Sequence, residues 1–408
     1  MHKQPAPNVI VGNPVLFEIE SDNANSIHYI VRIAQYNGIG NYIAFEGVLF
    51  PASDMSGKYF SLTNISEILK SFVNRQTNPT STSQLVSLVT DFFQEFSVDF
   101  YGQSGENLFY QGRFSPGGIS KSMLRYLSNQ YTDIFAYKLT NTSRQFFMTT
   151  RTFGRNIVLK ENELSPFYFV ATGKVYSVAT EHGNTFPFPA MIPGEVYAFS
   201  PEALRQMSYN LYGKIPSYLK ILVDGQHIFD ITIRQDAKSP NKYVLQFLNS
   251  FGVFEKLEIT GKAIAEPEID TSGNVFMRYD KIVDDYIEQN NRTPLREIIK
   301  ADSGYKTKDE FLFIRDMLQS DKCYLIDQHG SRQEVRVSCE NFSHDIFPTE
   351  PGSVQLKIRL IDSDSNYSPF IDEGVSGGII PGTTYYLTDN FGNHITDNFG
   401  NNITVNGL

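Results

Sequence analysis

The stretch YVLQFLNSFGVFEKLEITG, from Tyr243 to Gly261, predicts a β-hairpin. Its two strands alternate apolar and polar residues, the period-two pattern of a half-buried strand. The alternating apolar positions are Tyr243, Leu245 and Phe247 on the first strand and Leu257 and Ile259 on the second. The turn between them contains Asn249, which can bond its own backbone, and Gly252, which accepts a positive φ. The stretch indicates a β-scaffold without catalytic residues.

The composition of the whole chain also favours sheet. The 408 residues include 32 Phe and 23 Tyr but no Trp, and 41% of them are hydrophobic. Phe and Tyr fit the pleated surface of a sheet, and this apolar content is enough for real cores. We therefore predict a mainly β fold with two or three β-sandwich-like domains, a few short helices and a C-terminal β-hairpin repeat tail.

Four segments follow from the order of strand, helix and turn patterns. Residues 1–132 form an N-terminal β-rich domain, and residues 133–265 form a second one. GKYFSLTNISEILKSF in the first echoes GEVYAFSPEALRQMSY in the second, so the second domain is hypothesised to be a duplication. Residues 266–350 form a small α+β domain. Residues 351–408 contain one strand and a tail rich in Gly and Asn.

The short helices have recognisable start signals. Asn64 with Glu67, and Thr307 with Glu310, resemble capping boxes, and Ser200 before Pro201 is a good N-cap. A further helix is expected from Ile119 to Leu127. Asp224-Gly225 predicts the turn of another hairpin.

The tail repeats itself. LTDNFGNHI at 387–395 is followed directly by TDNFGNNI at 396–403, and each copy carries the tight-turn sequence Asp-Asn-Phe-Gly-Asn. A hairpin this small is marginally stable in water. We expect it to need a neighbour, either its own domain or another subunit.

Charge and targeting signals exclude several functional classes. The net charge is −10 with a pI near 5.3, and no dense basic run is present, which argues against general nucleic-acid binding. No signal peptide and no membrane span can be recognised. We expect synthesis in the cytoplasm and a soluble product.

Catalytic motifs are also lacking. The segment SPGGISKS (Ser115–Ser122) departs from a phosphate loop, because Lys121 follows Ser rather than Gly. A nucleophile pair of Cys339 and His344 has no orienting acid. The histidines are scattered without metal-ligand spacing, at His2, His28, His182, His227, His329, His344 and His394. We predict no enzyme, no catalytic residue and no cofactor.

The best metal candidate comprises Asp362, Asp364, Asn366 and Glu373. These are oxygen-ligand positions of a calcium loop, but Tyr367 replaces the required Gly. A polar turn is the alternative interpretation.

Two further residue pairs are weighed, two cysteines as a disulfide and two aspartates as a catalytic dyad. Cys323 and Cys339 flank a turn at Gly330 and could face each other across a hairpin; a disulfide is possible, and two free thiols are favoured in a reducing cytosol. Asp284 and Asp285 are placed on a helix surface, where nothing marks a glycosidase dyad.

Four stretches together resemble a known group of proteins. They are NPVLFEIES (13–21), GGISKSMLRYL (117–127), FFMTTRTFGRNIVLKENELSPFYF (146–169) and FLNSFGVFEKLEITG (247–261). In this order they resemble uncharacterised proteins encoded by phages and prophages of Bacteroides-type gut bacteria, which we associate with tail or baseplate genes. The resemblance carries no catalytic residue.

The resemblance implies a structural role. The expected protein is a component of a phage tail or baseplate, located in the virion, which packs as a symmetric homo-oligomer and contacts other tail proteins. The alternative is a carbohydrate-binding or adhesin module at the tail tip, whose exposed Tyr residues contact a host surface glycan.

Overall fold

The structure is a computed structural model that describes most of the chain. The described residues are 3–21, 24–34, 41–53, 57–73, 84–102, 107–121, 125, 146–151, 155–235, 243–269, 275–290, 295–326, 332–342, 352–361, 384–386 and 404–406.

Strands dominate the fold, as the sequence predicted, and form several sheets. The first eighteen are β1 (Asn8–Ile10), β2 (Leu16–Ser21), β3 (Ile27–Ala34), β4 (Asn41–Leu49), β5 (Ala52–Ser53), β6 (Tyr59–Asn64), β7 (Val86–Leu88), β8 (Gln94–Gly102), β9 (Asn107–Ser115), β10 (Asn156–Lys160), β11 (Phe167–Val170), β12 (Tyr176–Thr180), β13 (Thr185–Pro187), β14 (Val196–Phe199), β15 (Tyr218–Val223), β16 (Gln226–Arg234), β17 (Tyr243–Leu248) and β18 (Phe254–Ile259). The others are β19 (Ala263–Ala265), β20 (Glu268–Ile269), β21 (Val275–Asp280), β22 (Asp285–Asn290), β23 (Leu295–Arg296), β24 (Ile298–Asp302), β25 (Cys323–Ile326), β26 (Arg332–Ser338), β27 (Gln355–Leu360), β28 (Thr384–Tyr386) and β29 (Thr404–Asn406).

The chain divides into two compact units. Unit 1 comprises Met1–Ala237, Gln246–Leu257 and Lys308–Asp321, and unit 2 comprises Lys238–Leu245, Glu258–Thr307 and Lys322–Leu408. These units group the residues differently from the four predicted segments, whose bounds stay a prediction.

Unit 1 contains two strand modules with the same topology. In the first module, residues 8–115, the five-stranded sheet has the order β1-β9-β8-β3-β4; in the second, residues 156–234, the order is β10-β16-β15-β12-β13. When the strands of each sheet are numbered by their order along the chain, the two sheets have the same strand order. The first strand of each module pairs parallel with the last, and the other neighbours are antiparallel. A three-stranded sheet accompanies each: β2-β6-β5 in the first module, and β11-β14-β7 in the second, where β7 comes from the residue range of the first. Duplication of an ancestral module stays a hypothesis, which this shared strand order supports.

Each module buries an aromatic core where its strands alternate. Phe17, Val31 and Phe100 are fully buried in the first module, and Phe169, Ile221 and Phe229 in the second. The alternation follows from the strand itself, since successive side chains point to opposite faces of a sheet.

The described residues include three α-helices. They are α1 (Ser66–Lys70), α2 (Pro201–Tyr212) and α3 (Lys308–Gln319). Helix α2 starts as predicted: the Ser200 hydroxyl accepts from the Ala203 N–H at 3.1 Å, and Gly213 ends the helix at φ 65°. Helix α1 begins at Ser66 with Ile65 in the N-cap position, so the predicted capping box of Asn64 with Glu67 was wrong; the Asn64 side chain instead accepts from Ser66 N at 3.1 Å.

The hairpin that predicted the fold is present as β17 and β18. The Asn249 side-chain oxygen accepts from the N–H groups of Phe251 (2.9 Å) and Val253 (3.2 Å), and Gly252 has φ 78°. The turn therefore uses the predicted chemistry. Asn249 and Phe251 in this turn are nevertheless buried, and Ser250 is partly buried.

Unit 2 is built on the largest sheet, whose order is β18-β17-β25-β26-β27-β24-β19. Its strands bury Ala301, Leu356 and Ile358 on one face.

One segment of unit 1 is irregular, and several predicted elements lie outside the described residues. Residues 146–151 form an irregular segment. The predicted helix from Ile119 to Leu127 lies largely outside the described residues, as do both copies of the tail repeat. The strands that flank the repeat, β28 and β29, pair antiparallel. In the described part of the chain, no helix is long and apolar enough to cross a membrane.

Candidate functional site

A series of antiparallel strand pairs extends from the sheet of unit 2; we call it the β-arm (residues 263–301). Three pairs form it in succession: β19 with β24, β20 with β23, and β21 with β22. The register is the same in the first two pairs, from Ala263 opposite Ala301 to Ile269 opposite Leu295. In the third pair Val275 lies opposite Asn290, so the register has shifted by one residue.

The end of the β-arm, which we call the tip hairpin (Val275–Asn290), exposes many apolar side chains. Ile282 at the turn is 94% exposed, Tyr286 62% and Met277 60%. The remaining exposed apolar residues of the tip hairpin are Phe276, Tyr279, Val283 and Ile287. Together they expose apolar surface on the order of 800 Å², taking about 200 Å² for a large side chain. A patch of this size on a soluble chain marks an interaction site or an aggregation liability.

The two faces of the tip hairpin differ in charge. On one face Met277 lies opposite Glu288, and Tyr279 lies opposite Tyr286. The two tyrosine rings meet edge to face with centroids 5.4 Å apart. Directly opposite residues share a face of the hairpin, so Glu288 is the single charged group that the two strands place on this face. The other face carries Arg278 and two aspartates between its apolar residues.

A turn with a strained residue supports the tyrosine face. Asp284 has φ 55°, an unusual value for a residue other than Gly. Its carboxylate accepts a hydrogen bond from the Tyr279 hydroxyl, and this bond raises the pKa of Tyr279 because it favours the neutral phenol. Asp284 and Asp285 therefore lie in a turn and a strand, and the prediction of a helix surface for them was wrong.

Unit 1 holds a second candidate, a buried polar network at the opening hairpin. Both oxygens of the Glu255 carboxyl accept hydrogen bonds at 2.6 Å, one from the Thr149 hydroxyl and one from the Asn249 amide. Glu255 is 4% exposed, and burial raises its pKa to about 7 although the nearby Arg151 guanidinium opposes the shift. A carboxyl with this pKa exchanges its proton near neutral pH.

Arg151 is the cation of this network and has several partners. Its guanidinium donates to Glu163 at 2.9 Å and to the Lys256 carbonyl at 2.6 Å, and lies 4.2 Å from the ring centroid of Phe313. The side chains of Arg151 and Glu163 are 5% and 1% exposed. A buried pair of this kind needs the further hydrogen bonds that Arg151 makes. The network therefore fixes the irregular segment 146–151 to the hairpin and to helix α3.

Asp316 on α3 connects the network to a cleft. Its carboxylate accepts from the Thr150 hydroxyl at 2.6 Å, from Ser250 N at 3.2 Å and from the Ser250 hydroxyl. The cleft has a volume of about 480 Å³. Asp316 and Ser250 line it together with Gly117, Gly118 and Lys70.

The phosphate-loop candidate borders this cleft, but its backbone is already occupied. Gly118 N donates to the Ser250 carbonyl at 2.6 Å, and Ile119 N donates to the Asn13 side chain at 2.8 Å. Two N–H groups that would hold a phosphate are thus used within the protein. Gly12 packs so closely here that a Cβ on it would lie 2.3 Å from the Gly117 carbonyl oxygen.

The cysteines are both free. Cys323 is buried on β25 and lies opposite Val335, not Cys339, which follows the end of β26. The two therefore do not face each other across the hairpin, because the pairing of β25 with β26 is offset, and the favoured alternative of two free thiols agrees with the structure. Partial burial raises the pKa of Cys339, which lowers the fraction of reactive thiolate. Its proposed partner His344 lies outside the described residues.

The structure brings no metal site together among the residues it describes: no group of three or more His, Cys, Asp or Glu is placed to hold an ion. The calcium candidate, Asp362, Asp364, Asn366 and Glu373, lies outside those residues. Of the histidines, His227 contacts Asp230 at 2.8 Å on an exposed strand.

Sequence reasoning missed both the β-arm and the Glu255 network. The tip hairpin lacks alternation, because apolar residues occupy both of its faces, and this hides the strands from a period-two search. The alternation predicted an exposed Glu258, yet Glu258 and Glu255 are both buried. The one sequence signal of a buried carboxylate on this strand was the position of Glu258 between two apolar residues.

Comparisons with known proteins give weak likenesses. No family model matches the chain, and no curated protein matches it. Among solved structures, one that concerns the host cell surface retention of a 1.5-MDa bacterial ice-binding adhesin is 10% identical, covering 72% of this chain and 88% of that chain at a TM-score of 0.14. A Ca²⁺-stabilized adhesin of an Antarctic bacterium is 10% identical, covering 72% and 66% at 0.14. The Bacteroides ovatus protein SGBP-B, from a mixed-linkage glucan utilization locus and in complex with a heptasaccharide, is 9% identical, covering 86% and 94% at 0.15. Such TM-scores do not establish a common fold, and these likenesses carry no argument here.

Proposed function

We propose that this protein acts by binding and assembly, not by catalysis, and that the tip hairpin of the β-arm is its binding surface. The observation that carries the proposal is the exposure of apolar side chains on both faces of a two-stranded ribbon. A lone hairpin of this kind is marginally stable in water and gains stability when a partner covers it.

The resemblance to phage tail and baseplate proteins supports a setting for this assembly. A tail is built by symmetric packing of identical chains, and a ribbon that exposes apolar side chains on both of its faces suits that purpose. We therefore propose a structural component of a phage tail or baseplate, located in the virion, that contacts copies of itself and other tail proteins.

Lys281, next to the exposed turn of the tip hairpin, allows a direct test. Cells that express the chain are treated with an amine cross-linker, and both cross-linked peptides are identified by mass spectrometry. We expect intermolecular cross-links from Lys281 to exceed those from Lys214, an exposed lysine outside the β-arm. In Lys281→Arg, which keeps the charge, these cross-links disappear. If Lys281 gives no intermolecular peptide, the proposal is wrong.

One observation favours a second candidate, the binding of a host surface glycan. The exposed rings of Tyr279 and Tyr286 lie near the carboxylates of Asp284 and Glu288. Aromatic rings that stack on sugar faces, with carboxylates that accept hydrogen bonds from the sugar hydroxyls, are a common sugar-binding combination. A glycan array tests it: binding should occur and be lost in Tyr286→Ala but kept in Tyr305→Ala, a change at another exposed tyrosine.

A further inference from the structure

The low charge of one face of the tip hairpin restricts what can cover it. Met277, Tyr279 and Tyr286 form this face, and Ile282 and Val283 continue it at the turn. Glu288 is the single charged group that its strands provide. At the turn, the Asp284 carboxylate is bonded to Tyr279, and Lys281 is an exposed cation. A strongly charged partner has little to pair with on such a surface, whereas a similar apolar surface matches it.

We propose that the occupant of this face is the tip hairpin of a second copy of the chain, in a two-fold contact. This inference rests on the proposed function and names the partner. In a two-fold contact the same patch meets itself. We place the two-fold axis in the plane of the face and perpendicular to the strands, which reverses the order of the rows, a row being two residues directly opposite each other on the two strands. The row of Tyr279 and Tyr286 in one copy then lies on the row of Met277 and Glu288 in the other.

The chemistry of the rows is complementary when they are reversed in this way. The Met277 thioether packs favourably against an aromatic ring, and the Tyr286 hydroxyl is a donor for the Glu288 carboxylate. The Glu288 carboxylate thereby gains a hydrogen bond when it is covered, and a buried carboxylate requires such a bond. The tyrosine pair adds edge-to-face contacts to the apolar burial.

The area is sufficient for a dimer. The five apolar residues of this face and turn expose on the order of 600 Å² in each copy, taking about 200 Å² for a large side chain. Two copies together would bury roughly 1,200 Å², the lower end of the range for stable specific interfaces. Since the chain carries a net charge of −10, repulsion between copies opposes the contact, and added salt should strengthen it.

The test measures the mass of the purified full chain by light scattering over a range of concentrations at physiological salt. We expect a mass that rises from 46.3 kDa toward twice that value. Tyr286→Glu should raise the dissociation constant on the order of tenfold or more, because it buries a new charge opposite Glu288. Tyr305→Glu, at an 84% exposed tyrosine of unit 2 outside the β-arm, should leave it unchanged.

Cross-linking between isotope-labelled and unlabelled chains distinguishes this inference from the proposed function. Chains labelled with ¹⁵N and unlabelled chains are mixed, and a Lys281 peptide that joins a heavy and a light chain identifies the second copy. A chain that stays monomeric, or a dimer that Tyr286→Glu leaves intact, overturns the inference. If Lys281 cross-links only to other proteins in cells, the proposed function holds and the second copy is wrong. Ile282→Glu at the turn serves as the second variant if Tyr286→Glu fails to fold by circular dichroism.

Discussion

Replacing Glu255 with Gln should stabilise the protein at neutral pH, by an amount that depends on pH. The carboxyl is buried, and its pKa is raised from 4.5 to about 7. This difference corresponds to about 3 kcal/mol of unfolding free energy once the group is fully ionised. Gln has the shape of the protonated acid: its oxygen can accept from Asn249, and its amide can donate to the Thr149 hydroxyl.

The sign of this pH dependence follows from the pH range over which the folded and the unfolded chain each hold the Glu255 proton. In the unfolded chain Glu255 loses its proton near pH 4.5, whereas in the folded chain it keeps the proton until about pH 7. Between these values the folded state binds more protons, so the unfolding free energy of the natural chain falls as pH rises. The Gln variant has no such titration. The stability difference between the two should therefore grow from under about 1 kcal/mol at pH 5 to about 3 kcal/mol at pH 8.

Urea unfolding at intervals between pH 5 and pH 8 measures this difference. Because the chain has two units, hydrogen exchange of peptides from residues 246–257 identifies the transition that belongs to unit 1. Glu202→Gln, at an exposed position of α2, controls for the loss of one negative charge. A difference between the natural chain and the Glu255→Gln variant that stays constant from pH 5 to pH 8 would refute the reasoning, since it would mean that Glu255 ionises alike in both states.

Three further substitutions test the packing. Arg151→Ala should lower the unfolding free energy of unit 1 by about 3–5 kcal/mol in urea titrations, because it leaves a buried carboxylate without its partner; a loss under about 1 kcal/mol would show that the pair contributes little. Gly252→Ala should cost at least about 2 kcal/mol more than Gly225→Ala, since both have positive φ but only the first Cβ would meet other atoms, 2.5 Å from a proline side chain; equal melting temperatures would contradict this. Lys306→Met should destabilise unit 2 by about 1–3 kcal/mol by hydrogen exchange, since the buried ammonium donates to a backbone carbonyl at 2.7 Å. The matched change Lys300→Met, at an exposed ion pair, should leave the exchange of unit 2 unchanged.

Local signals in the sequence predicted the elements whose causes are local. Ser200 caps α2 through a bond to a backbone N–H three residues later, and Asp224-Gly225 closes a hairpin with both φ values positive. These interactions span a few residues, so residue type and spacing suffice to recognise them. The mainly β class followed in the same way from alternation and aromatic content.

The candidate sites depend on contacts between distant residues. Glu255 meets Thr149 across more than a hundred positions of sequence, and Asp316 meets Thr150 across a longer interval still. No pattern within either segment indicates the other. The order of the strands in the two modules of unit 1 likewise appears only when the pairings are known, because residue-level similarity between the modules is weak.

The β-arm was missed in the sequence for a different reason, which is the local pattern of its apolar residues and not a contact with distant segments. Its apolar residues do not alternate, because the described residues leave both of its faces exposed, and alternation arises only where one face is buried and the other is wet. Tyr279 and Tyr286 are recognisable as a pair once the register places them opposite each other.

The hairpin from Tyr243 to Gly261 separates what the sequence determines from what the tertiary structure adds. The sequence by itself determined its two strands and its turn, because Asn249 and Gly252 act on the backbone of their immediate neighbours. Only the tertiary structure decided that the turn is buried and that Glu255 keeps its proton to about pH 7. Burial and the pKa depend on the low-polarity surroundings that distant segments build, and the sequence of the hairpin does not contain those surroundings.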